Sequence, residues 1–156
     1  MRVALEEGDR RGSVYTFVDV PEFTRQPLSL SGIAVAASPA RAAAPPDAFA
    51  GLLPIMPTAQ RQFGKSDTAT AFVRVYQRLK DAGEFVSVTA RVVDATDRPV
   101  FEDAASVPAQ RFSSYRAADY RLQLPVERLA AGEYLLTVDA KQGEHAARRG
   151  LRFTIK

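Results

Sequence analysis

His145 is the only histidine of the chain and sits in the polar run Gln142-Gly143-Glu144-His145. Imidazole is the usual base in nucleophilic catalysis, but a serine hydrolase also needs a hydroxyl held beside that base. The Gly-x-Ser-x-Gly pattern that presents such a serine on a strained turn does not occur in the sequence. His145 is therefore expected to be an exposed loop residue. With one His and no Cys, the usual nitrogen and sulfur ligand set for zinc cannot be assembled. Gly64-Lys65-Ser66 matches the end of a phosphate-binding loop, yet the position that must be the first Gly of that motif is Ala59. A simple turn is the expected structure there.

The carboxylates give no stronger signal. Asp94 and Asp97 bracket a short segment and could supply two oxygens to Ca²⁺, which needs about six to eight. No supporting ligands are evident nearby, and Asp favours turns because its side chain bonds local backbone. Glu6 with Glu7, and Glu102 with Asp103, are adjacent acids. Hydrolysis by a carboxylate pair needs a cleft between the two groups, which is a feature of the fold and not of the sequence. No catalytic, cofactor-binding or metal-binding residue is assigned, and no cofactor is expected. Tyr15, Tyr76 and Tyr115 are of interest for binding: exposed together they would form a flat row able to stack on sugar rings or on a protein partner. The expectation is that most of them lie in the core.

The elements that must position these residues follow from the pattern. The chain has 156 residues, 46% of them hydrophobic and 25% charged, enough for one domain with a full core. The net charge of +3 is mild, with acids and bases mixed along the chain. The densest basic group, Arg148, Arg149, Arg152 and Lys156, falls on a strand pattern and reads as a solvated face rather than a nucleic-acid site. No stretch approaches the ~20 apolar residues that cross a bilayer, and residues 1–8 do not read as a signal peptide.

Period-two alternation recurs and long helical periodicity does not. Strands are expected at 13–20, ended by Pro21, and at 28–35. Residues 36–57 hold Pro39, Pro45, Pro46, Pro54 and Pro57 among many Ala, which predicts a long loop or crossover. It should carry one helical turn at 47–53, with Leu52, Leu53, Ile55 and Met56 packing back on the fold. Further strands are expected at 59–63, 70–79, 85–94, 99–102, 118–124, 134–138 and 151–155, with turns at 64–67, 81–83 and 94–98. Segment 70–79 carries apolar bulk on both faces, so its buried face stays open. Strands at this spacing, separated by Gly, Pro and Asp turns, indicate an all-β, immunoglobulin-like Greek-key sandwich. The domain is expected to cover 13–156, preceded by a flexible segment at 1–12.

Leu129, Gly132 and Tyr134 specify the fold more closely. Gly permits a tight turn between sheets, and a Tyr two residues later can bury its ring and return its hydroxyl to the backbone of the corner. The stretches at 72–77 (FVRVYQ), 86–94 (VSVTARVVD), 98–101 (RPVF), 117–122 (AADYRL) and 132–138 (GEYLLTV) resemble the C-terminal region of bacterial von Willebrand factor A-related proteins, especially the acidobacterial-type group. The A domain's Asp-x-Ser-x-Ser metal motif is absent, so that metal site does not carry over. The resemblance implies an accessory sandwich in a larger exported protein, extracellular or periplasmic. The expected function is a non-catalytic structural or protein-interaction module whose partner is a neighbouring domain or another protein. It is expected neither to bind nucleic acid nor to insert into a membrane. The alternative is a carbohydrate-binding module.

Overall fold

A computed structural model describes residues 2–7, 10–15, 23, 25–45, 47–78 and 85–156. Eleven strands are assigned among them. The first two, β1 (Arg2–Glu7) and β2 (Arg10–Tyr15), pair antiparallel as a hairpin, Arg2 opposite Tyr15. Of residues 1–12, expected as a flexible segment ahead of the domain, 2–7 and 10–12 lie in this ladder. The expected strand at 13–20 is described only as far as Tyr15, so its end at Pro21 lies outside the described residues. The turn at 81–83 does too.

The rest is a two-sheet sandwich. One sheet contains β3 (Leu28–Leu30), β4 (Ala34–Ser38), β6 (Thr68–Gln77) and β9 (Ala117–Gln123), with β6 central. The other has the order β5 (Gln62–Phe63), β11 (His145–Ile155), β10 (Gly132–Gln142), β7 (Val86–Asp94) and β8 (Pro99–Val107). The chain passes from β6 to the second sheet for β7 and β8, returns to pair β9 with β6, then crosses again for β10 beside β7. That is the Greek-key path of an immunoglobulin-like sandwich. All these pairings are antiparallel except β5, which runs parallel to the end of β11.

Alternation decides what faces inward. On β6, Ala69, Ala71, Val73 and Val75 are buried against the other sheet, and Thr70, Arg74 and Tyr76 lie on the outer face. This settles the face that pattern left open. Phe72 is 1% exposed although it shares the outer face, with the Arg74 guanidinium over its ring. From the second sheet, Val86, Val88, Ala90 and Val92 alternate inward with Leu136, Val138, Phe153 and Ile155. Burying each such branched side chain contributes roughly 1.5–3 kcal/mol, which is what holds the sheets together.

The tyrosine corner is present. The Tyr134 hydroxyl donates to the Ala130 carbonyl at 2.8 Å, and its ring stacks on Phe153 at 5.6 Å. Gly132, at φ +155, makes the turn into β10.

Several boundaries differ from expectation. The strand expected at 28–35 is two strands, with Ser31, Gly32 and Ile33 between them. The strand at 59–63 is reduced to Gln62–Phe63. In the 36–57 segment, β4 continues through Ser38, and successive turns at 47–53 are closed by bonds such as Ala50 N–H to the Asp47 carbonyl, 3.0 Å. Leu52 and Met56, expected to pack back, are exposed by 63% and 40%; Leu53 and Ile55 are half-buried. The largest change is β8. It was expected at 99–102 but has nine residues, because Ala104, Ala105 and Ser106 continue the ladder with β7 despite low strand propensity.

Candidate functional site

The residues singled out for catalysis are dispersed. His145 is exposed and opens β11 opposite Gln142, at the turn between β10 and β11. Gly64 to Asp67 is the expected turn: the Asp67 N–H donates to the Gly64 carbonyl at 3.0 Å, and the Gly64 N–H to the Asp67 carboxylate at 2.9 Å. Asp94 is likewise a turn residue. Its carboxylate accepts from the Thr96 N–H and hydroxyl, the Arg98 N–H and the Arg98 side chain. Those donors, Thr96 foremost, lower its pKa to about 2. Asp97 takes the left-handed conformation at φ 60. Among the described residues, no group of three or more His, Asp or Glu is arranged to hold a metal ion.

The arginines of β11 lie along a strand, as expected, and Arg148 pairs with Asp139 on the neighbouring β10. Glu102 pairs with Arg91 across the β7–β8 ladder. Glu6, Glu7 and Tyr15 lie on β1 and β2, whose side chains are outside the described structure. No helix among the described residues is long and apolar enough to cross a membrane.

What the fold does bring together lies along one side of the sandwich. β8 ends the five-stranded sheet, and β9 ends the other. The segment joining them crosses from sheet to sheet. It holds a short 3-10 turn, Ala109–Arg111, and a tight turn at 113–116 closed by Arg116 N–H to the Ser113 carbonyl, 2.9 Å. The Arg116 carbonyl in turn accepts from the Gln77 N–H of β6 at 3.0 Å, and Arg116 itself takes φ 56. Tyr115 projects from this braced turn with 86% of its surface exposed. An exposed aromatic on fixed backbone loses little entropy on binding, and such rings serve as recognition anchors.

Two clefts adjoin here. One of about 550 Å³ is lined by Arg74, Tyr76, Arg111, Tyr115 and Asp119. The next, of about 610 Å³, is lined by Asp103, Ser106, Arg111, Asp119, Tyr120 and Arg121. They share Arg111 and Asp119: the second is a polar trough between β8 and β9, and the first adjoins it on the outer face of the four-stranded sheet.

The acids of the trough are engaged. The Arg74 guanidinium donates to Asp119 through two nitrogens, at 2.7 and 3.3 Å, and this pairing raises the Arg74 pKa against the opposing effect of burial. Across the gap between sheets, the Tyr120 hydroxyl donates to the Asp103 carboxylate at 2.7 Å. Burial first, and then Asp103, push the Tyr120 phenol well above its ordinary pKa. Arg111 and Arg121, by contrast, are exposed and have no ion pair among the described residues. Asp103, held only by a neutral phenol, keeps its charge, so two free cations face one unpaired carboxylate and the balance is positive. Tyr76 is half-buried and stacks on Phe23, with centroids 4.6 Å apart.

Of the three tyrosines singled out, Tyr115 is thus fully presented rather than in the core, and Tyr76 stands beside it in the same cleft. Arg111, Asp119, Tyr120 and Arg121 were not singled out from sequence. The alternation at 118–124 does put Asp119 and Arg121 on one face and Tyr120 on the other; the missing signal was the length of β8, which brings Asp103 opposite.

A further cleft of about 460 Å³ lies at one end of the five-stranded sheet, lined by Arg61, the Asp94 turn, Glu133 and Arg152. Arg61 there is bonded to the Thr58 and Gln60 carbonyls, and Asp94 is spent on its own turn.

No family model matches the sequence, and no curated protein matches it. Solved structures similar in chain path include the β-glucuronidase of Parabacteroides merdae, at 13% identity and a TM-score of 0.44 over 83% of this chain. A glycosyl hydrolase family 2 member from Bacteroides cellulosilyticus has 13% identity and a TM-score of 0.42 over 82% of this chain. The chain spans 14% of the length of each. Likeness at this level says nothing of what this chain binds; the sandwich assignment rests on the strand pairings themselves.

Proposed function

We propose that this chain is a non-catalytic interaction module of a larger exported protein, and that it engages a neighbouring domain or another protein through the open side between β8 and β9. One observation carries this reading. Both sheets end on the same side, and the two adjoining clefts there hold a braced, exposed Tyr115 and two cations unpaired among the described residues. Edge strands and rigid aromatic turns are surfaces on which sandwiches recognise partners. The non-catalytic reading is supported by the state of the acids: Asp103 and Asp119 are each held by a donor rather than poised to pass a proton. The exported setting is the one that the resemblance to von Willebrand factor A-related proteins implies.

The test is a photocrosslinking residue at Ser106 or Tyr115, compared with one at Thr89 on the outer face of β7, inside the same sheet as β8. The reading expects crosslinks to a defined protein or domain from the first two positions and none from Thr89. Crosslinks from Thr89 alone would overturn it.

A second reading, carbohydrate binding, has an observation of its own: Tyr115 is 86% exposed beside Tyr76, with the Arg74–Asp119 pair able to meet sugar hydroxyls. It expects a glycan array signal that Tyr115→Ala abolishes. A blank array removes it.

A further inference from the structure

We propose that the open side takes an extended, acidic polypeptide segment that adds to β8 as a further strand. This rests on the interaction reading above and names the partner's chemistry. Among the described residues β8 has a partner on only one side, and such a nine-residue edge presents a row of unpaired N–H and C=O groups, which natural proteins usually protect with Pro, Lys or a bulge. On β8, Pro99 and the register shift beside Val92 and Val93 fall at its start and Glu102 and Asp103 are its only charges, so 104–107 carry none of these devices. Residues 104–106 are Ala, Ala and Ser, small enough to let another backbone approach to the usual inter-strand spacing of about 4.8 Å.

The trough supplies the charge preference. A strand added to β8 lies along the trough, and its side chains alternate toward and away from it. Asp119 is paired with Arg74, whereas Asp103 accepts only from the neutral Tyr120 phenol and keeps its charge, so the free cations Arg111 and Arg121 outnumber the free carboxylate two to one among the described residues. Arg111 and Arg121 stand free to meet acidic side chains of the incoming strand. A second copy of this chain is the less favoured occupant, because its own β8 carries only two acids, and one of them, Glu102, is paired with Arg91.

The probe is a capped nine-residue peptide of alternating Thr and Glu, titrated into the full chain and followed by amide chemical shifts. Binding is expected to move the β8 amides at 102–107 and to weaken with salt, since screening shortens from about 10 Å at 0.1 M to about 3 Å at 1 M. The double variant Arg111→Gln with Arg121→Gln, both exposed positions, is expected to keep the fold by circular dichroism and lose about tenfold in affinity. Methylating alternate backbone nitrogens of the peptide is expected to abolish binding with its charge intact. Equal binding of a Thr-Lys peptide, unchanged binding of the methylated peptide, or no binding at all would each overturn the proposal. So would concentration-dependent self-association through β8. If crosslinks from Ser106 persist while the acidic peptide fails, the interaction reading stands and the acidic strand does not; if both fail, both fall.

Discussion

The bond between Tyr120 and Asp103 fastens the two sheets along their open side, so Tyr120→Phe is an informative single change. It deletes one oxygen and keeps the buried ring, which is 7% exposed. A hydrogen bond to a charged group contributes about 1.5–3 kcal/mol. Asp103 is only half-buried and can recover water, so the lower end applies. For a chain of this size about 1.5 kcal/mol corresponds to a fall in Tm of about 3–6 °C at pH 7. The same substitution has a signature in alkali. The folded-state pKa of Tyr120 is raised above the ordinary phenol value of about 10. Below about pH 10 both states hold the proton, and the full contribution is present. Above it, the unfolded chain releases a proton that the folded chain retains, so stability falls as pH rises toward the folded pKa. The slope from this one group is at most about 1.4 kcal/mol per pH unit. Thermal melts of both proteins at pH 7, 9 and 11 read this directly. The gap between them should be widest at pH 7 and close by pH 11. Melting temperatures within 1 °C at pH 7 (about the resolution of the method), or a gap that widens in alkali, would refute the reasoning.

Three further predictions follow from the same geometry. Tyr134→Phe removes the corner bond to Ala130 and should cost about 0.5–1.5 kcal/mol by chemical denaturation, with m unchanged; no change would mean that the bond is exchanged for water at no cost. Gly132→Ala meets no atom within 4 Å, so any cost is backbone strain at φ +155, about 1–3 kcal/mol; a neutral substitution would show that the turn relaxes. Asp94, with its pKa lowered to about 2, contributes stability that is present above its unfolded value of about 4 and lost as pH falls toward 2. Asp94→Asn should therefore lower Tm at pH 6 and converge with the parent protein by pH 2, and a pH-independent difference would contradict the assignment.

The fold was legible because its signals are local. Alternation at Val86, Val88, Ala90 and Val92, and the Gly132–Tyr134 corner, each name their own environment. The candidate site was mostly not legible, because it is made between strands. Asp103 and Tyr120 stand seventeen positions apart and meet only because β8 runs five residues beyond the expected end. Ala and Ser carry little strand preference of their own, so pairing with β7 decides residues 104–106, and no sequence window contains that information. Phe72 is a similar case: two apolar faces on β6 could not be ranked until both neighbouring strands were placed. Tyr115 escaped because an aromatic residue in a loop reads as core unless the turn that holds it outward is seen.

The central claim is that this chain works through the side between β8 and β9. Hydrogen exchange on the chain, alone and with the partner captured by crosslinking, tests it most directly. The account predicts slowed exchange at 102–107 and 111–121, with no change on the outer face around Thr89, Thr137 and Arg148. Protection on that outer face, or around Leu52 and Met56, with 102–107 unaltered, would contradict it.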